Sequence, residues 1–404
     1  IPILNVLRYA LFNENSDIIE PDSDVGELLN ESVNQSVYTC IYTVVKNNTS
    51  ESKSYENMYY QLLGQNIRNQ HSHERLHELL TDAKVAYVVL KGMASARYYP
   101  DPCKRTMGDV DFLVKREDVE LAASILREHG FTKSASEEHG FHTVFTGQGT
   151  IYELHWAVPG IPNEGTAGER ARYYLKNIID DAEFHDGYMV PSDFHHGIVL
   201  LLHSASHMTT TGMGLRHLCD WAVFVNRFSN ERFTEMFEIP LKEIGLWEFA
   251  KVLTAVSVKY LGIGSKNWAE GVENETVDLV LEDIMAAGNF GIKDGQRINQ
   301  AKLMRDDATR GVARAGMFTT LVKNINVRAK RAMPICSKVP LLLPFGWILV
   351  GTKYVVQVSR GKRKRIKLRE TIKGAESRGE LYSRLRLFEG VYSEDRDLST
   401  PFFC

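Results

Sequence analysis

Two carboxylates, Asp109 and Asp111, stand one residue apart in Gly108-Asp109-Val110-Asp111-Phe112-Leu113-Val114, a run that is otherwise apolar. Such a run predicts a strand. Strand side chains alternate between faces, so both carboxylates leave the same face, side by side. Adjacent carboxylates repel one another unless a cation neutralises them, and oxygen ligands on a rigid element are what Mg²⁺ prefers. Taken alone, an Asp-x-Asp also describes an exposed strand edge or turn.

The surroundings fix the kind of fold. Val85-Ala86-Tyr87-Val88-Val89-Leu90 is a short apolar run suited to a buried strand. Residues 109–114 form a second strand, and 117–129 a helix closed by Gly130. Residues 141–146 and 150–156 make two more strands around Gly147-Gln148-Gly149, a hairpin signal. On either side the spacing is helical. Leu4, Leu7, Leu11, Leu28, Leu29, Val33 and Val37 recur at helical intervals around the polar stretch 13–24, and 47–56 reads as an exposed turn. A long helix is expected over 55–80, then helices over 193–208, 214–227, 246–261 and 275–287. The expected class is α+β, a small mixed β-sheet core in a mainly helical chain. At 404 residues, the divisions are expected at 1–80 (helical), 81–160 (the β-rich core), 161–310 (helical) and 311–404 (apolar plus basic). A content of 44% hydrophobic and 25% charged residues excludes a disordered or collagen-like chain.

Around the two aspartates, other residues suit phosphate chemistry. Leu90-Lys91-Gly92 ends one strand, and Met93-Ala94-Ser95-Ala96-Arg97 continues as a short helix. Glycine at such a turn lets a phosphate approach backbone N–H groups and the helix start. Ile151-Tyr152-Glu153-Leu154-His155-Trp156 alternates, which puts Glu153 and His155 on one face. A third carboxylate from a neighbouring strand completes a two-metal site, with Glu153 as ligand or as base for an attacking hydroxyl. Arg105 is placed to neutralise phosphate charge. His71, His73 and His77, on a charged helix, are expected at the surface. His203 and His207 lie four apart on one helix face, compatible with zinc spacing, with interdomain packing, or with substrate contact. Arg216 and Asp220 are also four apart and suit a mutual pair. Gly288-Asn289-Phe290-Gly291 reads as a helix cap and turn.

The order Leu90-Lys91-Gly92, Arg105-x-x-Gly108-Asp109-Val110-Asp111-Phe112-Leu113-Val114 and Glu153-Leu154-His155-Trp156 resembles the nucleotidyltransferase superfamily. More narrowly it resembles the bacterial group of uncharacterised nucleotidyltransferases associated with surface-polysaccharide gene neighbourhoods. Leu201-Leu202-His203 with His207, Gly214-Leu215-Arg216-x-Leu218-x-Asp220-Trp221 and Gly288-Asn289-Phe290-Gly291 echo that group's helical half, so the resemblance spans about residues 30–295. It implies that Asp109, Asp111 and Glu153 bind Mg²⁺ or Mn²⁺. It assigns the triphosphate to Lys91, Gly92, Ser95, Arg105 and Arg216, and leaves His155, His203 and His207 as substrate contacts. The superfamily has Gly-Ser at its turn, whereas Met93 follows Gly92 here, leaving Ser95 to supply the hydroxyl. The implied reaction moves a nucleoside monophosphate from an NTP to an acceptor hydroxyl, on a glycan or a small molecule, with release of pyrophosphate. Two alternatives stay open: a non-catalytic nucleotide-binding accessory of envelope polysaccharide assembly, and a toxin-like transferase acting on tRNA or protein.

Charge is unevenly spread. The whole chain carries a net −3, yet residues 359–386 hold 11 Lys+Arg and 3 Asp+Glu. With the apolar stretch 340–350 before it, this basic segment suits an anionic membrane surface, RNA, or a packed helix followed by a solvated basic one. Five scattered cysteines predict neither a disulfide framework nor a zinc site. No apolar stretch reaches the ~20 residues of a spanning helix. Ile1-Pro2-Ile3 lacks the basic start of a signal peptide. The expected place is the cytoplasm, with association to a membrane surface through the C-terminal segment.

Overall fold

The computed structural model describes residues 1–13, 24–48, 52–134, 140–297, 300, 317–360 and 368–390. The polar stretch expected over 13–24 and the basic run 361–367 lie mostly outside these described residues. Among them, helices α1 (Pro2–Phe12), α2 (Val25–Asn34), α3 (Tyr38–Val45) and the long α4 (Ser52–Asp82) precede strand β1 (Tyr87–Val89). One helical turn, α5 (Met93–Ala96), then leads to β2 (Val110–Val114), α6 (Val119–Glu128), β3 (Thr132–Lys133), β4 (His142–Gly147) and β5 (Thr150–His155). Next come α7 (Thr166–Tyr174), the hairpin β6 (Glu183–His185) and β7 (Tyr188–Val190), and α8 (Asp193–Thr209). The helices α9 (Leu215–Val225), α10 (Asn230–Ile244), α11 (Trp247–Val256) and α12 (Asn274–Ala287) follow. Last are α13 (Met317–Ala332), α14 (Leu343–Ser359) and α15 (Leu368–Leu385).

The five-stranded sheet runs β1-β2-β5-β4-β3 and is mixed: β2 and β5 are parallel, and the other pairs are antiparallel. This is the α+β architecture expected, a small sheet inside a mainly helical chain. The β4–β5 turn places Gln148 at φ 52° and Gly149 at φ 77°, the left-handed pair that matches the twist of a two-residue hairpin.

Alternation divides the sheet between two cores. Tyr87, Val89, Val110, Phe112, Val114, Tyr152 and Leu154 pack with Leu76 and Leu80 of α4 and with Ala122 and Leu126 of α6. Val88, Leu90 and Leu113, from the other face, join the helical core, which includes Leu201, Leu218, Trp221, Phe233 and Phe237. Each such aliphatic or aromatic side chain contributes roughly 1.5–3 kcal/mol by burial, so the sheet is clamped from both sides. Aspartate at 109 and 111 shares its face with Leu113. It therefore looks toward the helices rather than toward bulk solvent.

Several elements differ from the sequence expectation. The hairpin β6–β7 turns on Asp186 (φ 46°) and Gly187 (φ 102°), an Asp-Gly turn within a stretch expected to be helical. The helix expected over 246–261 becomes α11 and then a wider π-type turn, Ser257–Leu261, ended by Gly262 at φ 73°. Helix α10 forms despite Pro240, because Ser229 Oγ accepts from Arg232 N–H at its start and Gly245 closes it at φ 76°. The C-terminal helix α15 is not a wholly solvated basic helix. Its Arg378 is buried and donates to Met208 O at 2.9 Å, to Arg297 O and Gln300 Oε1 at 3.2 Å, and to the Tyr382 hydroxyl. Helix α15 is thereby tied to the end of α8.

Candidate functional site

The parallel pairing of β2 with β5 sets Asp111 against Glu153 and Leu113 against His155. Period-two alternation brings Asp111, Glu153 and His155 to one face, with Asp109 one step before β2. Asp111 is 2% exposed. Its Oδ1 accepts from Lys91 Nζ at 2.8 Å and faces His155 Nε2 at 3.0 Å. His155 Nε2 also lies 3.4 Å from Glu153 Oε2. Asp111, Glu153 and His155 each offer one atom of a group that lies within 4.8 Å of one another and could hold a metal ion.

The electrostatics follow from this crowding. The charge of Asp111, then burial, pushes the Asp109 carboxyl up to about 6, against the pull of Lys91. Burial pushes Asp111 upward too, but Lys91 and His155 outweigh it and hold its carboxyl well below the usual range. His155 loses basicity to burial and gains more from its bonds to Asp111 and Glu153, so its net shift is upward. One carboxylate of the pair is held charged and the other resists charge, which is what two acids sharing a site do without enough cations.

Lys91 and Gly92 form the lip of this site. Gly92 sits at φ +60°, and a Cβ there would come within 3.1 Å of His73 Nε2. His73, expected at the surface, is fully buried; its Nδ1 bonds Asn69 O at 2.6 Å and its ring supports the Gly92 turn. His71 is exposed and His77 bonds the Tyr87 hydroxyl at 3.0 Å. Ser95 is buried in α5, and its hydroxyl has no partner among the described residues.

Arg105, which its place in the sequence assigns to phosphate, has another partner in the structure. Its Nε and a terminal nitrogen both donate to Asp220 at 2.7 Å in a buried fork, and Tyr99 adds its hydroxyl at 2.8 Å. Asp220 is therefore held by Arg105 and not by Arg216, although Arg216 is its i,i−4 neighbour. The desolvation cost of a buried carboxylate is met only by such bidentate geometry, and the fork joins the loop before β2 to helix α9. Arg216 instead donates to Thr106 O at 3.2 Å and lies 5.2 Å from the centre of the Phe290 ring. Its Nε has no partner among the described residues, and the charge of Asp109 reaches it.

On the helical side, His203 and His207 from α8 meet His217 from α9. The ring centres lie 4.3 Å (His203–His207), 5.3 Å (His203–His217) and 4.9 Å (His207–His217) apart. Burial holds all three imidazoles below their ordinary basicity, and the positive charge of Lys91 adds to it. Gly214 N–H donates to His217 Nδ1 at 3.3 Å, which leaves the ring proton on Nε2. That Nε2 is buried and without a partner among the described residues. The three rings are the second group that could hold a metal ion. That role would require His217 to give up either its proton or its bond to Gly214.

His217 is a member of this cluster that the sequence does not single out, and Phe290 joins it from the Gly288-Asn289-Phe290-Gly291 motif. Phe290 belongs to a turn that reads as a helix cap, yet its φ of 56° carries the ring to 4.9 Å from His207. No local signal marks His217: next to Arg216 on a helix it leaves a different face, and packing of α9 against α8 brings it to His203 and His207.

The carboxylate group fits a divalent cation: the donors are hard oxygens on adjacent strands, and mutual repulsion raises Asp109 in their present state. A family model described as uncharacterised nucleotidyltransferase matches residues 21–262 of the chain. No curated protein matches it.

Proposed function

Because the chain belongs to the uncharacterised nucleotidyltransferase family, whose model spans more than half of it, we propose that it transfers a nucleoside monophosphate from an NTP to an acceptor hydroxyl. The observation that carries most weight is the pairing of Asp111 and Glu153 as register partners on parallel strands, with Asp109 on the same face. Asp109, Asp111 and Glu153 would hold Mg²⁺ or Mn²⁺, which when bound offsets phosphate charge and acidifies a bound hydroxyl.

The protein's own groups do the rest. Glu153 takes the proton of the acceptor hydroxyl, and His155, 3.4 Å away, orients its carboxylate. The acceptor oxygen forms a bond to the α-phosphorus as the bond from that phosphorus to the bridging oxygen breaks, and pyrophosphate leaves. Lys91 already carries the positive charge nearest the carboxylates and stabilises the phosphate oxygens from the same position. Gly92 takes the φ of +60° that lets the chain turn over the His73 ring directly after Lys91. Arg216 and the Nε2–H of His217, both with unpaired donors among the described residues, supply hydrogen bonds to the departing phosphates, with His203 and His207 lining the same wall.

Thermal-shift measurement with each NTP, with and without Mn²⁺, is the first test. Stabilisation that requires both nucleotide and metal supports the reading. Nucleotide binding that is indifferent to metal and unchanged in Asp109→Asn contradicts it.

A further inference from the structure

Helices α13 and α14 form a hairpin whose inner side is closed by small contacts. Trp347 Nε1 donates to Asn326 Oδ1 at 2.8 Å, and Gly346 abuts the buried Ala329 and Cys336. Its outer side is the opposite of a soluble helix. Leu341 is 87% exposed, Phe345 63%, Ile348 66% and Val355 63%. Phe345, Ile348 and Val355, three and seven residues apart on α14, share one face over about 15 Å, and Leu341, in the 3-10 turn Pro340–Leu342 just before α14, extends this apolar stripe.

Charge decides what covers that stripe. Between residues 308 and 369 the chain has 15 Lys+Arg and no Asp or Glu. A second copy of the hairpin would bring like charges together, which disfavours self-association. RNA recognition would call for exposed stacking platforms, whereas three of these four side chains are aliphatic. A surface that accepts aliphatic side chains and carries dense negative charge is an anionic bilayer. No helix among the described residues is long and apolar enough to cross a membrane, so the hairpin would lie on the surface rather than span it.

We propose that the Leu341–Phe345–Ile348–Val355 face docks on an anionic lipid surface, with the surrounding Lys and Arg against the headgroups. Lys338 and Arg360 flank the stripe in sequence, Lys353 lies within its span, and the basic run 361–367 follows directly. Docking of this kind is independent of nucleotidyl transfer and gives the chain a place of action.

Co-sedimentation of the full chain with vesicles tests it. Binding is expected to vesicles of phosphatidylcholine with about 30% phosphatidylglycerol and not to pure phosphatidylcholine, and to fall as salt rises. The double variant Phe345→Glu/Ile348→Glu should weaken binding about tenfold or more, with a melting temperature within about 2 °C of the parent. Should that variant unfold, Leu341→Glu at the most exposed position gives the same comparison. Failure to bind phosphatidylglycerol vesicles overturns the proposal. So does binding that the glutamate variants leave intact, or a stripe protected by RNA or by dimer formation instead of by lipid.

Discussion

Lys91 Nζ and Asp111 Oδ1 are 2.8 Å apart, and the same oxygen faces His155 Nε2 at 3.0 Å. Asp111 is thus neutralised by the protein itself, through the very residue that precedes the Gly92 turn. An ammonium in this position competes with any divalent cation for the carboxylate.

Replacing Lys91 with Met removes that competitor. Mn²⁺ should then stabilise the variant more than the parent, while NTP affinity falls because a phosphate partner is gone. Melting curves over a Mn²⁺ titration measure the first effect and calorimetric titration with NTP the second. Equal metal shifts in both proteins would place Lys91 outside the metal site.

The Arg105–Asp220 fork carries a different expectation. Arg105→Met leaves a buried carboxylate with Tyr99 as its remaining described side-chain partner, at a cost of about 3–5 kcal/mol of stability in urea denaturation. Arg105→Met/Asp220→Leu should recover most of that loss, since it removes both charges. Nucleotide affinity per folded molecule should stay near that of the parent. A stable Arg105→Met protein with lost nucleotide binding would return Arg105 to the phosphate site that its sequence position suggests.

How much of this is legible in the sequence depends on range. The Asp-x-Asp strand, the Glu153–His155 strand and the turn between β4 and β5 are readable because alternation and turn chemistry act over a few residues; that turn uses Gln148 and Gly149. Partner choice is not. Asp220 has basic residues both four positions before it and 115 before it, and only packing decides for Arg105. His73 looks like a surface residue on a polar helix because nothing local announces that the Gly92 turn rests on its ring. The Asp186-Gly187 hairpin signal is present but sits in a stretch whose flanks read as helical.

His217 supplies a donor with no described partner, which suits it to the departing phosphates. His217→Ala should raise the KM for NTP about tenfold or more, the worth of a hydrogen bond to a charged group, and leave metal affinity unchanged. Loss of metal binding in this variant would instead favour a metal held by His203, His207 and His217.

Acid should destabilise the protein well above the carboxylate range. Burial lowers His73 to about 4 and His207 to about 3, and holds His203 and His217 well below their ordinary value. In the unfolded chain these groups gain protons near pH 6.5, so unfolding takes up protons as pH falls from about 6.5 toward 4. His73 alone accounts for a loss on the order of 3 kcal/mol across that window. Asp109 acts with the opposite sign: its raised value makes the folded state gain stability on acidification, between about 6 and its unfolded value. Burial lowers His195 and His196 as well, so one carboxyl against six buried imidazoles leaves a net loss. Denaturation midpoints that stay flat between about pH 6.5 and 4.5 would contradict this.

The most direct test of nucleotidyl transfer follows two labels in one reaction. Parent protein and Asp111→Asn are incubated with Mg²⁺ or Mn²⁺, a cell extract as the source of acceptor, and an NTP labelled at either the α- or the γ-phosphate. Metal-dependent transfer of the α-label alone is predicted, matched by pyrophosphate release and reduced at least about a hundredfold in Asp111→Asn. Transfer of the γ-label, or α-label transfer undiminished by Asp111→Asn, would contradict it.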